Sequence, residues 1–307
     1  MRRRGPRCRS GFALLAVLWT LAGAGALTML MLLTARDSLD SARNRTSLVR
    51  ATWRAEGCAE RARAVVDDAL AHGQDVGAIW RSLDSVVAST MPSDDCRVSL
   101  APSGTTLDVN AIDGDALGRF VRALGASERE ADSLAAALAD WRDPDDTPRP
   151  AGAERSDYAR LARVTPRNGD LASPKELLLV RGFDRVPGID SLVSIGAGRV
   201  WLARAPLPVI AALPGLGRAA AQVIVSQRSE SGAPPTLDAV MQSLDGDDQR
   251  QLASRLRELA PMLATEPDWW TLTSVALEGA PQVRASLELR LVRTGRRAAI
   301  VNRVGYP

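Results

Sequence analysis

Residues 140–158, DWRDPDDTPRPAGAERSDY, hold the densest set of ligand-type side chains in the sequence. Asp140, Asp143, Asp145, Asp146, Glu154 and Asp157 place six carboxylates within eighteen residues. Pro144, Pro148 and Pro150 keep the stretch from becoming a helix, because proline lacks the amide N–H and clashes with the preceding turn. Hard oxygen ligands on irregular backbone suit calcium. The EF-hand spacing, with glycine at its sixth position, is absent, so a solvated acidic loop explains the same residues equally well. Other chemistries are poorly provided for. His72 is the single histidine, so a serine or cysteine triad lacks its general base. No phosphate-binding glycine-rich motif and no zinc-ligand spacing is present. The sequence reads as that of a protein without catalytic residues.

A second stretch, VIAALPGLGRAAAQVI at residues 209–224, resembles a helix-hairpin-helix, with two apolar helices joined through Pro-Gly-Leu-Gly. Where this motif binds DNA, hairpin amides hold a phosphate at a helix N-terminus. It also serves as a compact way to pack two helices. Basic residues nearby are limited to Arg218 and Arg228, and Asp238, Asp245, Asp247 and Asp248 follow. A membrane-tethered DNA-binding protein is therefore the alternative function, and packing is the expected role of the hairpin.

The elements that position these stretches begin at the N-terminus. Arg2, Arg3, Arg4, Arg7 and Arg9 precede a run of 26 residues with no charge, ending at Ala35. As a helix this run is about 39 Å long, enough for a hydrocarbon core of about 30 Å. The arginines mark its N-terminal side as cytoplasmic. Without those five arginines the chain has 34 basic and 36 acidic residues, and it is no polycation of the kind that coats nucleic acid. A secretory signal has a shorter apolar core and is discarded; here cleavage near Ala24 or Ala26 would leave an apolar stub reaching Leu33.

The basic leader, the Gly11–Phe12 junction and the long apolar run together resemble a type IV prepilin. That resemblance implies a prepilin peptidase cut between Gly11 and Phe12, methylation of the new N-terminus, and retention of the helix as a single-pass inner-membrane anchor with the bulk of the chain periplasmic. Pilin-like proteins carry glutamate at the fifth mature position, where this chain has Ala16. Lack of that glutamate is typical of general secretion pathway protein K, the large minor pseudopilin of the type II secretion system. The segment at residues 140–158 also resembles the Asp-Trp-x-Asp, Gly-Ala-Glu and Tyr pattern of that family.

Periodicity continues past the membrane. Leu39, Ala42, Thr46, Val49 and Trp53 recur every three to four residues, Ala62, Val65, Val66, Ala69 and Leu70 extend the pattern, and Gly73 fits a C-cap. The resemblance favours one helix from Phe12 to about His72. Strand signals lie at residues 96–109, in CRVSL and TLDV, and at 269–306, where Ala285, Leu287, Leu289 and Leu291 alternate with polar residues. The block between them reads helical. The expected fold is α+β: a pilin-like long N-terminal helix and antiparallel sheet, with an inserted all-α domain of helix-hairpin-helix or SAM-like type. The divisions are 1–11 leader, 12–35 membrane part, 36–110 helix and first strands, 111–264 insertion, and 265–307 closing strands.

The family includes calcium-binding members, which implies calcium for the acidic loop, with Asp143, Asp145 and Glu154 as ligands. If the leader is removed, Cys8 goes with it, and Cys58 and Cys96 remain as a disulfide pair in an oxidising compartment. The resemblance implies other minor pseudopilins as partners in a tip complex, meeting this chain along its apolar helix at Phe12 and Ala16. It implies a role in capping the periplasmic pseudopilus and helping to start its assembly. No nucleic-acid partner is expected.

Overall fold

The computed structural model describes residues 10–91, 97–161, 163–231 and 233–306. One unbroken helix, α1 (Ser10–His72), runs from the apolar segment into the folded body. Gly73 follows it at a crowded point, where a Cβ would lie 1.9 Å from the Ile79 side chain and 2.6 Å from the Ala69 carbonyl oxygen. Two short helices follow, α2 (Val76–Arg81) and α3 (Leu83–Thr90), and then strand β1 (Arg97–Pro102).

Next comes a largely helical block. It contains β2 (Leu107–Asp108), α4 (Gly114–Ala123), α5 (Glu128–Arg142), α6 (Arg155–Arg160), β3 (Val193–Ser194), β4 (Val200–Trp201), α7 (Leu207–Ala212), α8 (Gly217–Ser231), α9 (Leu237–Gln242), α10 (Gly246–Leu259) and β5 (Leu263–Ala264). Three long strands close the chain, β6 (Trp270–Glu278), β7 (Val283–Thr294) and β8 (Arg297–Tyr306). They form an antiparallel sheet in the order β1-β6-β7-β8.

The expected α+β class is what is observed. Alternation places Trp270, Leu272, Ala276, Leu287, Leu289 and Leu291 on one face of the sheet, where they meet Ala51, Ala55, Ala59, Ala62, Val66 and Leu70 of α1. Four alanines in that helix face let the sheet come close. A second hydrophobic cluster lies in the helical block and includes Phe120, Leu138, Trp141, Phe183, Ile210 and Ile224.

Two expectations change. The stretch CRVSL supplies β1, but TLDV leaves the main sheet: Leu107 and Asp108 pair in parallel with Val193 and Ser194. Such two-residue bridges show no alternation, which is why β3, β4 and β5 were invisible in a block that reads helical. The stripe Leu39–Trp53 confirms helix but not burial. Trp53 is 69% exposed, and the core face of α1 is the alanine row on its other side.

Candidate functional site

The acidic stretch is built across the end of one helix and the start of another. Helix α5 opens with a capping box in which Ser127 and Glu130 satisfy each other's backbone amides. Its last turns carry Asp140 on the buried face, one turn beyond Ala137, and Asp143 at its C-cap. Glu154 is the N-cap of α6, and its amide donates to Asp157 at 3.0 Å. Asp140, Asp143 and Glu154 each offer an oxygen within 4.8 Å of the others.

The surrounding residues fix this meeting. Arg149 donates to Asp140 at 2.7 Å and also pairs with Asp143. Gly152 lets the loop pass over Asp140, because a Cβ there would lie 2.0 Å from Oδ2. Trp141 and Tyr158 meet edge to face at 5.3 Å. The Tyr158 hydroxyl accepts from the Arg181 amide at 2.9 Å, and the Trp141 indole donates to Glu176 at 3.2 Å. The motif residues that lack carboxylates are thus the frame that positions those that have them.

The cluster is electrostatically uncomfortable. Asp140 and Glu154 are 0% and 1% exposed. Both Glu154 carboxylate oxygens, and Oδ1 of Asp143, are buried with no hydrogen-bond partner. Burial raises the Glu154 pKa, and the neighbouring carboxylates Asp140, Asp143 and Asp146 add to the rise. Buried carboxylate oxygens without a donor are costly unless a proton or a cation takes them up. Three converging hard oxygen donors, two of them on fully buried residues, fit a calcium ion.

Of the expected ligands, Asp143 and Glu154 come together. Asp145 does not join them: it is exposed, and its carboxylate accepts the Thr147 amide two residues on, at 2.7 Å, in a local turn. Asp140 takes its place. The overlooked signal was a carboxylate at a helix position whose neighbours one turn away are apolar.

The hairpin stretch forms α7 and α8 with Leu213–Leu216 between them. Pro214 and Gly215 are buried under α10: Gly215 has φ +79°, and a Cβ there would lie 2.8 Å from Cβ of Arg255. Arg119 caps the α7 end by donating to the Ala212 carbonyl at 2.8 Å, and Arg228 donates to the carbonyls of Leu202 and Ala205. The hairpin is covered, and one of its two nearby arginines is used inside the fold.

Cys58 is 1% exposed and disulfide-bonded. Cys8 and Cys96 lie outside the described residues. Gly11 and Phe12 fall within α1, and Ala16 is exposed on it. In α1 the apolar part is long enough to cross a membrane, and none of it is buried against the rest of the chain.

Residues 98–186, which include the acidic cluster and its frame, match the protein family described as type II secretion system (T2SS), protein K. The match covers less than a third of the chain. No curated protein sequence matches it. Among solved structures it is similar to a chain of the GspK-GspI-GspJ complex from the type 2 secretion system of enterotoxigenic Escherichia coli. That likeness has a TM-score of 0.55 at 15% identity and covers 89% of this chain and 99% of the other. At that identity it speaks for the fold alone: a long helix, a sheet and a helical block.

Proposed function

We propose that this chain is a minor pseudopilin, that it caps the periplasmic pseudopilus of a type II secretion system, and that it helps to start its assembly. The observation that carries the reading is the division of α1, whose apolar part is bare while one face of the rest is buried beneath a four-stranded sheet. A helix of this kind anchors one end in the inner membrane and carries the folded body in the periplasm. Its role there is structural.

Ala16 gives the reading its direction. Among pilin-like proteins a glutamate at the fifth mature position pairs with the terminal amine of a neighbouring subunit, and an intramembrane charge is costly unless paired. The amine at Phe12 accepts such a glutamate, while Ala16 offers none in return, as suits a first subunit. The partners in this reading are counterparts of GspI and GspJ, with which the similar protein forms its complex. Asp140, Asp143 and Glu154 hold calcium, which neutralises the buried carboxylates and orders the loop between α5 and α6. Cys58 pairs with Cys96.

The test is made in the membrane of a secreting cell. The mature chain should begin at Phe12, Gly11→Val should block processing, and Ala16→Glu should leave secretion unchanged or reduced. A chain starting at Met1 or near Ala26 would reject the prepilin reading. Secretion that rises with Ala16→Glu would reject the capping role.

A further inference from the structure

The three converging carboxylates already hold one cation supplied by the chain itself. Arg149 donates through Nη1 to Oδ1 of Asp140 at 2.7 Å and to Oδ2 of Asp143. Its backbone amide reaches both Asp140 oxygens, at 3.3 and 3.2 Å. Each oxygen of Asp140 therefore accepts a bond from Arg149, whereas both oxygens of Glu154 and Oδ1 of Asp143 are buried with no partner. The other charges near the cluster are engaged elsewhere. Asp146 reaches Arg155 at 3.5 Å, and Asp157 pairs with Arg160 and accepts the Glu154 amide. Arg142 donates to the carbonyls of Val109, Asn110 and Ile112, and Arg181 to that of Ala151. Among the described residues, Arg149 is the one guanidinium bonded to the cluster.

The backbone of Arg149 is pinned, and its side chain is not. Arg149 stands between Pro148 and Pro150, and a following proline restricts a residue to extended backbone. The Gly152 amide donates to the Arg149 carbonyl at 2.8 Å. The Arg149 side chain is 46% exposed, against 0% for that of Asp140. Rotation about side-chain bonds alone takes the guanidinium into solvent and leaves the loop where it is.

We propose that Arg149 is a built-in rival for the calcium site: in the metal-free chain its guanidinium stands in for the ion between Asp140 and Asp143, and calcium binding turns it out into solvent. The inference rests on the calcium reading of this cluster and adds to it the residue that sets the affinity. An ion ligated by Asp140 and Asp143 together approaches the Nη1 that bridges them, and like charges on the same two carboxylates repel. Release of the guanidinium breaks two charge-assisted hydrogen bonds, so the site binds calcium less tightly than its carboxylates alone would. In return, the metal-free chain does not leave all three carboxylates without a counter-charge, which burial makes costly.

Calorimetric titration of the full chain in detergent with calcium chloride, together with melting in calcium and in chelator, tests this. Arg149→Gln should bind calcium about tenfold more tightly than the native chain, the equivalent of one charge-assisted hydrogen bond. It should melt lower in chelator and gain more from calcium. Arg149→Lys keeps the charge and should fall between the two; it carries the comparison if the glutamine variant does not fold without metal. A second readout separates displacement from simple charge repulsion. Phenylglyoxal modifies accessible guanidinium groups, and peptide mapping of the native chain should show Arg149 modified faster in calcium than in chelator. Modification at the same rate or more slowly would overturn the proposal, as would calcium binding by Arg149→Gln that is no tighter than native. Either result leaves the calcium reading standing; calcium binding by neither chain removes both.

Discussion

Arg204 holds Asp84 with both arms of its guanidinium, one of them at 3.1 Å, while its central carbon lies 5.4 Å from the Trp201 ring and 5.7 Å from the Trp270 ring. Asp84 belongs to the first turn of α3 and Trp270 to β6, both on the sheet side, whereas Arg204 and Trp201 belong to the helical block. One side chain therefore joins the two hydrophobic clusters. Beside it Arg199 donates to Asp268 at 3.1 Å, and the Trp80 indole donates to the Pro267 carbonyl at 2.8 Å.

Replacing Arg204 by alanine should lower stability by about 2 kcal/mol, through loss of a forked ion pair and two ring contacts. Solvent screening limits the effect, since both charged side chains are about one-third exposed. Burial pushes the Asp84 pKa up, but hydrogen bonding and charge from Arg204 outweigh it and hold the pKa below the usual carboxylate range. The contribution of the pair is therefore present above the unfolded-state pKa and is lost as pH falls through the depressed folded-state pKa. Urea titrations at neutral and acid pH should show the Arg204→Ala deficit shrinking at acid pH; a deficit of constant size would assign the loss to packing alone.

Calcium should raise the melting temperature, with a gain that grows as pH rises. Ligand that binds only the native state stabilises by RT ln(1 + [L]/Kd), about 2.7 kcal/mol at one hundred times Kd. Because the Glu154 pKa is raised, its metal-free proton must leave before the ion binds. In chelator the sign reverses: the Glu154 charge costs stability as pH rises through its raised folded-state pKa. Glu154→Gln should then be more stable than the native chain at neutral pH by about 1 kcal/mol and should lose the calcium response. Calorimetry in calcium and in chelator reads both effects. Equal melting in the two would return the loop to a solvated acidic stretch.

Non-reducing peptide mapping should find Cys58 joined to Cys96. Closing a loop of roughly 38 residues contributes about 2–4 kcal/mol, so Cys96→Ser should lower stability by that amount. A peptide joining Cys58 to Cys8 instead would contradict removal of the leader.

Gly215→Ala should destabilise the helical block by about 1–3 kcal/mol. The left-handed φ of +79° disfavours any side chain, and the new Cβ would press on Arg255 and Leu252 of α10. The same variant should leave the sheet side intact, visible as an unchanged Trp80–Trp270 environment by tryptophan NMR. The native chain should not retard duplex DNA in a gel; retardation would restore the DNA-binding reading.

The sequence by itself carried whatever depends on neighbours along the chain. Twenty-six uncharged residues behind five arginines specify a spanning helix, because that information is length and charge alone. Strict alternation in Ala285–Leu291 specifies a strand with one buried face, and the pattern of residues 140–158 pointed to the protein K family. Tertiary structure decided what depends on contacts between distant residues. Leu39–Trp53 and Ala51–Ala62 are equally helical in pattern, and only the sheet determines which face is covered: alanines, less apolar than tryptophan, win because they let Leu272 and Leu289 come close. Asp145 and Asp140 are equally acidic, yet a local turn with Thr147 holds one outward while α5 buries the other beside Glu154. The Asp84–Arg204 contact spans 120 residues, and no periodicity encodes it. Its two ends meet because α3 packs beside the sheet and β4 is held to β5, immediately before β6.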